Sequence, residues 1–595
     1  MALLLTILSL TTLVTSSVVH PSPGDSFELL ILHNNDMHAR FEQTSQLSGI
    51  CTPADRQAGK CYGGFPRVAH VVKEARRAAA SGEGPPVLYL NAGDTYTGTA
   101  WFTIYKWRIA AEFLNALQPD AVSLGNHEFD ERVGGLVPFL RNVTTPVLAA
   151  NLVLDRVPEL LHEPNLKKSI VLTVKDTKIG IIGYLTPETK ILAPNNDVEY
   201  EDEVVALKRE VKVLQEQGVK ILIALGHSGF LEDLEIAKEV EGLDLVIGGH
   251  SNTFLWNGET SEQPEQVEGP YPTMVQQVSG KMVPVVQAYA YTKYMGKLHL
   301  IFDAEGEIAH FDGNPIVLSQ DVPRDPEVLD LVLRYHEDIE RTNSEVVGTS
   351  MNALDGLSCR IKQCNIGNLI TDSIVHYSKD QGMCTNIAIV QGGRIRASIR
   401  HEEGPIDLTK GDWFTVLPFS DTLTVVTMNG STLLRALEHS VDTWRTVDST
   451  GQFLQFTGMQ VIYDLAKPPG SRVVSAKAVE SRNTCEVSEL QDIKESGEYK
   501  VIMPTFLAEG GDGYANFVGQ PREMLSYNEL TAVFDYLRKN SPVNPLITDR
   551  LIVRNVDRIQ KTARKGKHLP SSAHTLSIYY EVIFIFNSFL ILSLW

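Results

Sequence analysis

The sequence is short of positive charge. Its 595 residues carry 53 lysines and arginines against 73 aspartates and glutamates, a formal charge of −20. A body this acidic repels phosphate backbones, which argues against general nucleic-acid binding. A small phosphorylated ligand is still allowed, because a metal or an arginine cluster inverts the field in one pocket. The interior of the chain has no long apolar run and mean hydropathy is −0.07, which excludes a polytopic membrane protein. Internal repeats and low-complexity tracts are also missing. With 43% apolar and 8% aromatic residues the chain is neither disordered nor fibrous, and its length calls for two domains.

Two apolar runs do occur, one at each end. Residues 3–14, followed by Ser16 and Ser17, read as a secretory signal peptide over 1–17. Residues 583–595 follow a small-residue triplet, Ser571, Ser572 and Ala573, and a spacer; this pattern across 571–595 reads as a GPI-attachment signal. The tail is shorter than the ~20 apolar residues of a spanning helix. The expected location is therefore the extracellular face of the plasma membrane, reached by the secretory pathway and held by a GPI anchor alone. The six cysteines suit that compartment: Cys51 with Cys61 and Cys359 with Cys364 are spaced to close locally, and Cys384 and Cys485 would pair by elimination. Asn142-Val-Thr and Asn429-Gly-Ser are glycosylation sequons, and the second is also a turn signal.

The first half alternates short apolar runs (29–32, 87–90, 121–124, 221–225, 243–247) with amphipathic stretches such as 66–80, which opens on Pro66 and stops at Gly82. This is the pattern of an α/β or α+β sheet covered by helices. At Asp325-Pro326 a helix begins whose apolar positions Val328, Val332, Tyr335 and Ile339 follow helical spacing, and new strands (387–390, 423–426, 501–503) come after it. The expected division is a catalytic domain over 25–323, a linking helix over 324–342 and a second domain over 343–560.

Each apolar strand of the first half runs into a polar cluster: Asp36-Met-His38, Gly93-Asp94, Gly125-Asn126-His127-Glu-Phe-Asp130, Gly226-His227 and Gly248-Gly249-His250. Ligands gather at the carboxyl ends of strands, where loops converge on one crevice. His, Asp and Asn without Cys suit borderline or hard divalent ions, and a pair of ions sharing a carboxylate clamps a phosphoryl group and activates a water. Asp94 is the natural bridge, with Asp36 and His38 on one ion and Asn126, His227 and His250 on the other. His127, next to a ligand and oriented by Asp130, is placed to stabilise charge or protonate a leaving oxygen.

These five pieces resemble the calcineurin-like metallophosphoesterases. The wording around them is narrower. Ile31-Leu-His-Asn-Asn-Asp-Met-His38, Trp101-Phe-Thr-Ile-Tyr105, Ile223-Ala-Leu-Gly-His-Ser-Gly-Phe230, Gly248-Gly-His-Ser-Asn-Thr-Phe254, Cys364-Asn-Ile-Gly-Asn-Leu369 and Phe506-Leu-Ala-Glu-Gly-Gly-Asp-Gly513 resemble the animal ecto-5′-nucleotidases, from about Phe27 to the C-terminal tail. The resemblance implies an N-terminal metallophosphoesterase β-sandwich flanked by helices and holding two Zn²⁺. It also implies a helix about which domains rotate, a C-terminal α/β nucleotide-binding domain, and a GPI-linked homodimer that converts AMP to adenosine and phosphate. Carried over by motif, the metal ligands are Asp36, His38, Asp94, Asn126, His227 and His250, and the catalytic pair is His127 with Asp130. On the substrate side Phe419 and Phe506 would sandwich the base, Asp512 would take the ribose hydroxyls, and Arg360 and Arg396 the phosphate.

The chain departs from that family in three places. Gln391-Gly-Gly-Arg394-Ile-Arg396 stands where Asn-Gly-Gly-Gly-Ile-Arg is usual, so a hydrogen bond from Gln391 to the base must shift. Arg394 brings a cation to the expected phosphate path, and Glu509 replaces an Asn. Added charge there would suit ADP and ATP, which keeps the related arthropod apyrases as a rival reading. The anchor signal favours the nucleotidase. A non-catalytic nucleotide-binding surface glycoprotein is the remaining alternative, although no ligand is missing. Many metallophosphoesterases carry a second His two residues after the last one; here it is Asn252.

Overall fold

The computed structural model describes residues 26–556 except 195, 259–264, 400–404, 420, 447–448 and 480–488. The expected signal peptide, the attachment signal and Cys485 lie outside the described residues. No helix among the described residues is long and apolar enough to cross a membrane.

Side-chain alternation along the strand Phe27–Asn34 sets up the N-terminal half. Leu29 and Ile31 enter a core shared with a second sheet, whereas Leu30 and Leu32 enter a core shared with helices. Leu88 and Leu90 against Tyr89 repeat the pattern in the strand Val87–Asn91. The first sheet has eight strands. Phe27–Asn34 pairs antiparallel with Tyr294–Phe302 and parallel with Val87–Asn91, and the parallel run continues through Ala121–Ser123 and Val147–Leu148. The second sheet has six strands, centred on the parallel run Thr177–Leu185, Ile221–His227 and Leu245–Ile247. Phe65–Ser81, Trp107–Leu117 and Arg132–Asn142 cover the outer face of the first sheet; Glu203–Glu216 and Phe230–Glu239 cover the second. The result is sheets covered by helices, as the alternation predicts, packed into the sandwich that the resemblance implies.

The helix expected over 66–80 spans Phe65–Ser81, and Gly82 ends it in the left-handed region at φ 78°. The helix expected over 324–342 spans Pro326–Asn343. Asp325 caps it by accepting the Val328 N–H at 3.0 Å, and its buried stripe of Val328, Leu331, Val332 and Ile339 lies against the N-terminal domain. Tyr335 on the same stripe is half-buried.

Beyond it, a five-stranded sheet is filled on both faces. Ala388, Val390, Val425 and Ile502 meet the helices Asn365–Asp380 and Glu529–Asn540, while Ile387, Ile389, Val426 and Val501 meet the helix Gly430–Asp442. Asn429, one of the sequon residues, caps that last helix by accepting the Thr432 N–H at 2.9 Å. Cys51–Cys61 and Cys359–Cys364 are disulfides with Cα–Cα distances of 5.7 and 5.1 Å, and Cys384 is disulfide-bonded as well.

Ile181 is wholly buried between the two sheets. Ile181→Ala should lower unfolding free energy by about 2–5 kcal/mol in urea titration. A loss below about 1 kcal/mol would mean the gap can collapse and the sheets are not tightly packed there.

Candidate active site

Each residue assigned to metal stands at or just past the end of a strand. Asp36 and His38 follow Phe27–Asn34, Asp94 follows Val87–Asn91, and Asn126 and His127 follow Ala121–Ser123. His227 ends Ile221–His227, and His250 follows Leu245–Ile247. The backbone turns sharply here. Asp36, His38, Asp94 and His250 all have positive φ, at 50°, 47°, 56° and 78°. Each such residue costs roughly 1 kcal/mol or more, and the turns bring side chains from both sheets into one cradle.

Two triads share Asp94: His38, Asp94 and His127, and Asp36, Asp94 and His227, with ligand atoms inside 4.8 Å of one another in each. Nε2 of His227 lies 3.0 Å from Oδ2 of Asp94 and 3.8 Å from Oδ1 of Asp36. Nε2 of His38 lies 3.7 and 3.8 Å from the same two carboxylates. Asn126 Oδ1 accepts from Nδ1 of His250 at 2.9 Å, which joins these two side chains to each other. The far nitrogens are tied down: Nδ1 of His227 donates to Ala92 O at 2.7 Å and Nδ1 of His38 to Thr97 O at 2.9 Å, so Nε2 of each faces the cradle.

This donor set fits two divalent cations. Asp36 and Asp94 are buried side by side, and Oδ1 of Asp36 accepts no hydrogen bond. Although burial opposes it, Asp94 and Asp36 push His227 up to about 10, because the two carboxylates favour positive charge beside them. Glycine is required beneath it: a Cβ on Gly125 would fall 2.1 Å from Oδ1 of Asp94, and one on Gly249 would fall 2.8 Å from both Ala92 O and Nδ1 of His227.

His127 stands at the rim. Its Nδ1 donates to Asp130 Oδ2 at 2.9 Å, and its Nε2 is 4.0 Å from Asp94 Oδ2. Asp130 also accepts from the Thr97 hydroxyl. Burial lowers the imidazole's proton affinity, but Asp130 and Asp94 prevail and raise it above the ordinary value.

The second domain forms the opposite wall of the same cavity, of about 700 Å³, which His127, Asp94, Asn126 and His250 share with Arg360, Gln391, Arg396, Phe419, Phe506 and Asp512. Nη2 of Arg396 donates to Nε2 of His38 at 3.0 Å, and Arg360 donates to Ser449 O at 3.1 Å. The Phe419 ring centroid is 5.7 Å from that of His127. Burial pushes the Asp512 carboxyl up to about 6 against the pull of Arg360, His439, Arg396 and a hydrogen bond from Gln391. All fourteen residues singled out in the sequence thus gather around one crevice. Asn252 is not among the residues lining the cavity, and its Oδ1 has no hydrogen-bond partner.

One expectation is corrected. Arg394 lines the cavity, but it is not available as extra charge for phosphates. Its buried guanidinium is paired with Asp421 at 2.6 Å and with Glu529, two carboxylates from elements that looked unrelated in sequence.

Two contributors went unassigned in the sequence. Glu128 accepts the N–H groups of Gly125, Asp94, Thr95 and Tyr96 at 2.7, 3.0, 2.8 and 3.2 Å, binding the Asp94 loop to the Asn126 loop. Its signal was present: an acidic residue three positions after Gly125 is capping-box spacing. Arg40, buried and donating to the carbonyls of His38, Gly98 and Ser48, had no signal that would distinguish it from a surface arginine.

Comparison with known proteins agrees with this geometry. Residues 29–254 match the family model of the calcineurin-like phosphoesterases, and residues 346–519 match that of the 5′-nucleotidase C-terminal domain. The chain is 42% identical over 541 residues to Protein 5NUC of Lutzomyia longipalpis, covering 89% of this chain and 93% of that protein. It is 40% identical over 553 residues to the 5′-nucleotidase of Homo sapiens, covering 91% and 93%. Among solved structures, a 5′-nucleotidase precursor from Thermus thermophilus superposes with a TM-score of 0.79 at 31% identity, covering 89% of this chain and all of that one.

Gly249→Ala tests the cradle. With contacts of 2.8 Å to the Ala92 carbonyl and to His227, the added methyl must displace one of them. The expected outcome is loss of bound metal by elemental analysis with a melting temperature close to that of the parent; full metal content would show that the loop yields.

Proposed function

The chain belongs to the 5′-nucleotidase family of calcineurin-like phosphoesterases, metal-dependent phosphohydrolases of nucleoside monophosphates, and from that premise we propose how its residues divide the work. Asp36, His38, Asp94, Asn126, His227 and His250 would hold two divalent ions, and the imidazole content of the set suits Zn²⁺. Bound there, the ions supply Lewis acidity and acidify a water at neutral pH. The single observation that carries the reading is that Asp94 belongs to two clusters of donor atoms, one with Asp36 and His227 and one with His38 beside His127, in a cavity whose other wall is lined by Arg360 and Arg396.

The division of labour follows from position. Arg360 and Arg396 take the phosphate oxygens and hold phosphorus over the cradle. Phe419 and Phe506 stack the base, and Asp512 accepts from the ribose hydroxyls, with Gln391 beside it to steady the carboxylate. Water attacks phosphorus and the bond to O5′ breaks; one of the water's protons stays on the phosphate and the other passes to solvent, from which His127 is reprotonated for the next cycle. His127, with Nδ1 anchored on Asp130, donates from Nε2 to the oxygen that gains charge, and the nucleoside leaves with a proton on O5′. The neutralised Arg394 removes the main argument for ADP and ATP, so AMP is the preferred substrate. The domain limits at 324–342, secretion to the cell surface, the GPI anchor and a homodimer are part of the same proposal. Secretion and the anchor are supported by the terminal sequence patterns, the domain limits by the helix Pro326–Asn343 between the two matched family models, and the homodimer by the family resemblance alone.

Phosphate release with AMP, ADP and ATP in parallel tests the function. Rapid release from AMP, slow release from the others and loss of all activity in EDTA are expected, and His127→Ala should lower kcat roughly 10²–10⁴-fold. Comparable rates on ATP would point instead to an apyrase.

Asp512 offers a pH test. Because its carboxyl is raised to about 6, it is an acceptor above that pH and becomes protonated below it. Adenosine carries no phosphate to titrate, so its inhibition constant should rise as pH falls from 7.5 to 5, and Asp512→Asn should flatten that limb. A pH-independent constant for the parent would remove Asp512 from ribose recognition.

A further inference from the structure

We infer that Arg394, pinned by Asp421 and Glu529, is a positioning residue for the base-stacking clamp. The inference rests on the reading above, in which Phe419 and Phe506 receive the base.

Three separate segments meet at this guanidinium. Arg394 sits in the turn after the strand Ile387–Gln391, Asp421 in the loop before Leu423–Asn429, and Glu529 at the start of the helix Glu529–Asn540. Arg394 is 3% exposed and Glu529 1%. Nη2 of Arg394 donates to Asp421 Oδ1 at 2.6 Å and to Glu529 Oε2 at 3.1 Å, while Nε is paired with the other Glu529 oxygen. Held this way, the cation lies over the Phe419 ring, 5.3 Å from its centroid. The other carboxylate oxygen of Asp421 accepts the backbone N–H of Phe506 at 3.1 Å.

One carboxylate therefore fixes both halves of the clamp: Phe419 through the cation that covers it, and Phe506 through its main chain. A desolvated cation on an aromatic face holds the ring by its quadrupole, and two carboxylates leave the guanidinium no freedom to follow a phosphate. Merely filling space would not require a three-charge network with Arg394 and Glu529 buried, which neutral side chains of similar volume replace at little or no cost. The cluster is instead suited to setting the position of Phe419 and its separation from Phe506. Arg394 and Asp421 thereby favour substrates that carry a flat base, and their effect falls on binding more than on turnover.

The test uses Arg394→Met combined with Glu529→Gln, which leaves no carboxylate buried without a partner, alongside Asp421→Asn and Arg394→Lys, with melting curves to verify folding. Adenosine affinity by calorimetry and kcat/KM for AMP, ADP, ATP and ribose 5-phosphate are measured on each. The inference expects adenosine binding to weaken about tenfold, the loss expected for a desolvated cation–aromatic contact. The ratio of kcat/KM for AMP over ribose 5-phosphate should fall similarly, carried by KM, with partial recovery in Arg394→Lys. A parallel fall for ribose 5-phosphate, unaltered adenosine binding, or a loss confined to ADP and ATP would overturn it. Failure of the parent protein to release phosphate from AMP would defeat the nucleotidase reading alone, since adenosine calorimetry still decides the role of Arg394.

Discussion

Asp36 and Asp94 are 1% and 2% exposed, and both carboxylates face His38 and His227 inside 4 Å. Removing two like charges from water costs several kcal/mol each and sets them against one another. Only positive charge placed between them makes that tolerable; a divalent ion would supply it, and the Nε2 atoms of His38 and His227 face the same space as donors to such an ion. Much of the surrounding structure holds this arrangement in place. The Glu128 carboxylate gathers four amides from two loops, the Ala92 and Thr97 carbonyls set the imidazole tautomers, and glycines at 125 and 249 keep methyl groups out of the cradle.

The sandwich is what makes such a cradle possible. A single sheet would present its loops in a row; two packed sheets bring the ends of Phe27–Asn34, Val87–Asn91 and Ala121–Ser123 opposite those of Ile221–His227 and Leu245–Ile247. The donors of one triad then come from both sheets, as Asp36 and Asp94 do with His227. Their geometry depends on the core between the sheets, which explains why so much apolar burial lies directly behind a polar site.

The strands were legible in the sequence as short apolar runs, and the two main helices by their terminal residues and apolar spacing. Pro66 and Gly82 bracket one helix, Asp325-Pro326 opens the other, and Leu29 to Leu32 alternates across a sheet with different cores on its two faces. The residues of the cradle were legible because each polar cluster closes an apolar run. The partners that act across the fold were not. Arg40 reads as any other arginine until the carbonyls around it are known, and Glu529 lies 135 residues from the arginine it neutralises. Local patterns report what a residue does to its own backbone; they say nothing about the charges that long-range contacts will bring beside it.

Arg394 shows why this matters for specificity. Counted in the sequence, it is one more cation beside a phosphate site, and charge alone suggests a polyphosphate. In the structure two carboxylates close around it and its remaining exposed property is a flat, polarising face against Phe419. A guanidinium that is fully paired is electrostatically quiet at long range, yet it still acts over the few ångströms at which a ring quadrupole responds. The same substitution of glycine by arginine thus changes meaning with its partners: without Asp421 and Glu529 it would recruit phosphate, and with them it shapes the pocket for a base. Preference between mono- and polyphosphates at this scaffold is therefore a question of which arginines are left unbalanced, and Arg394 is not one of them.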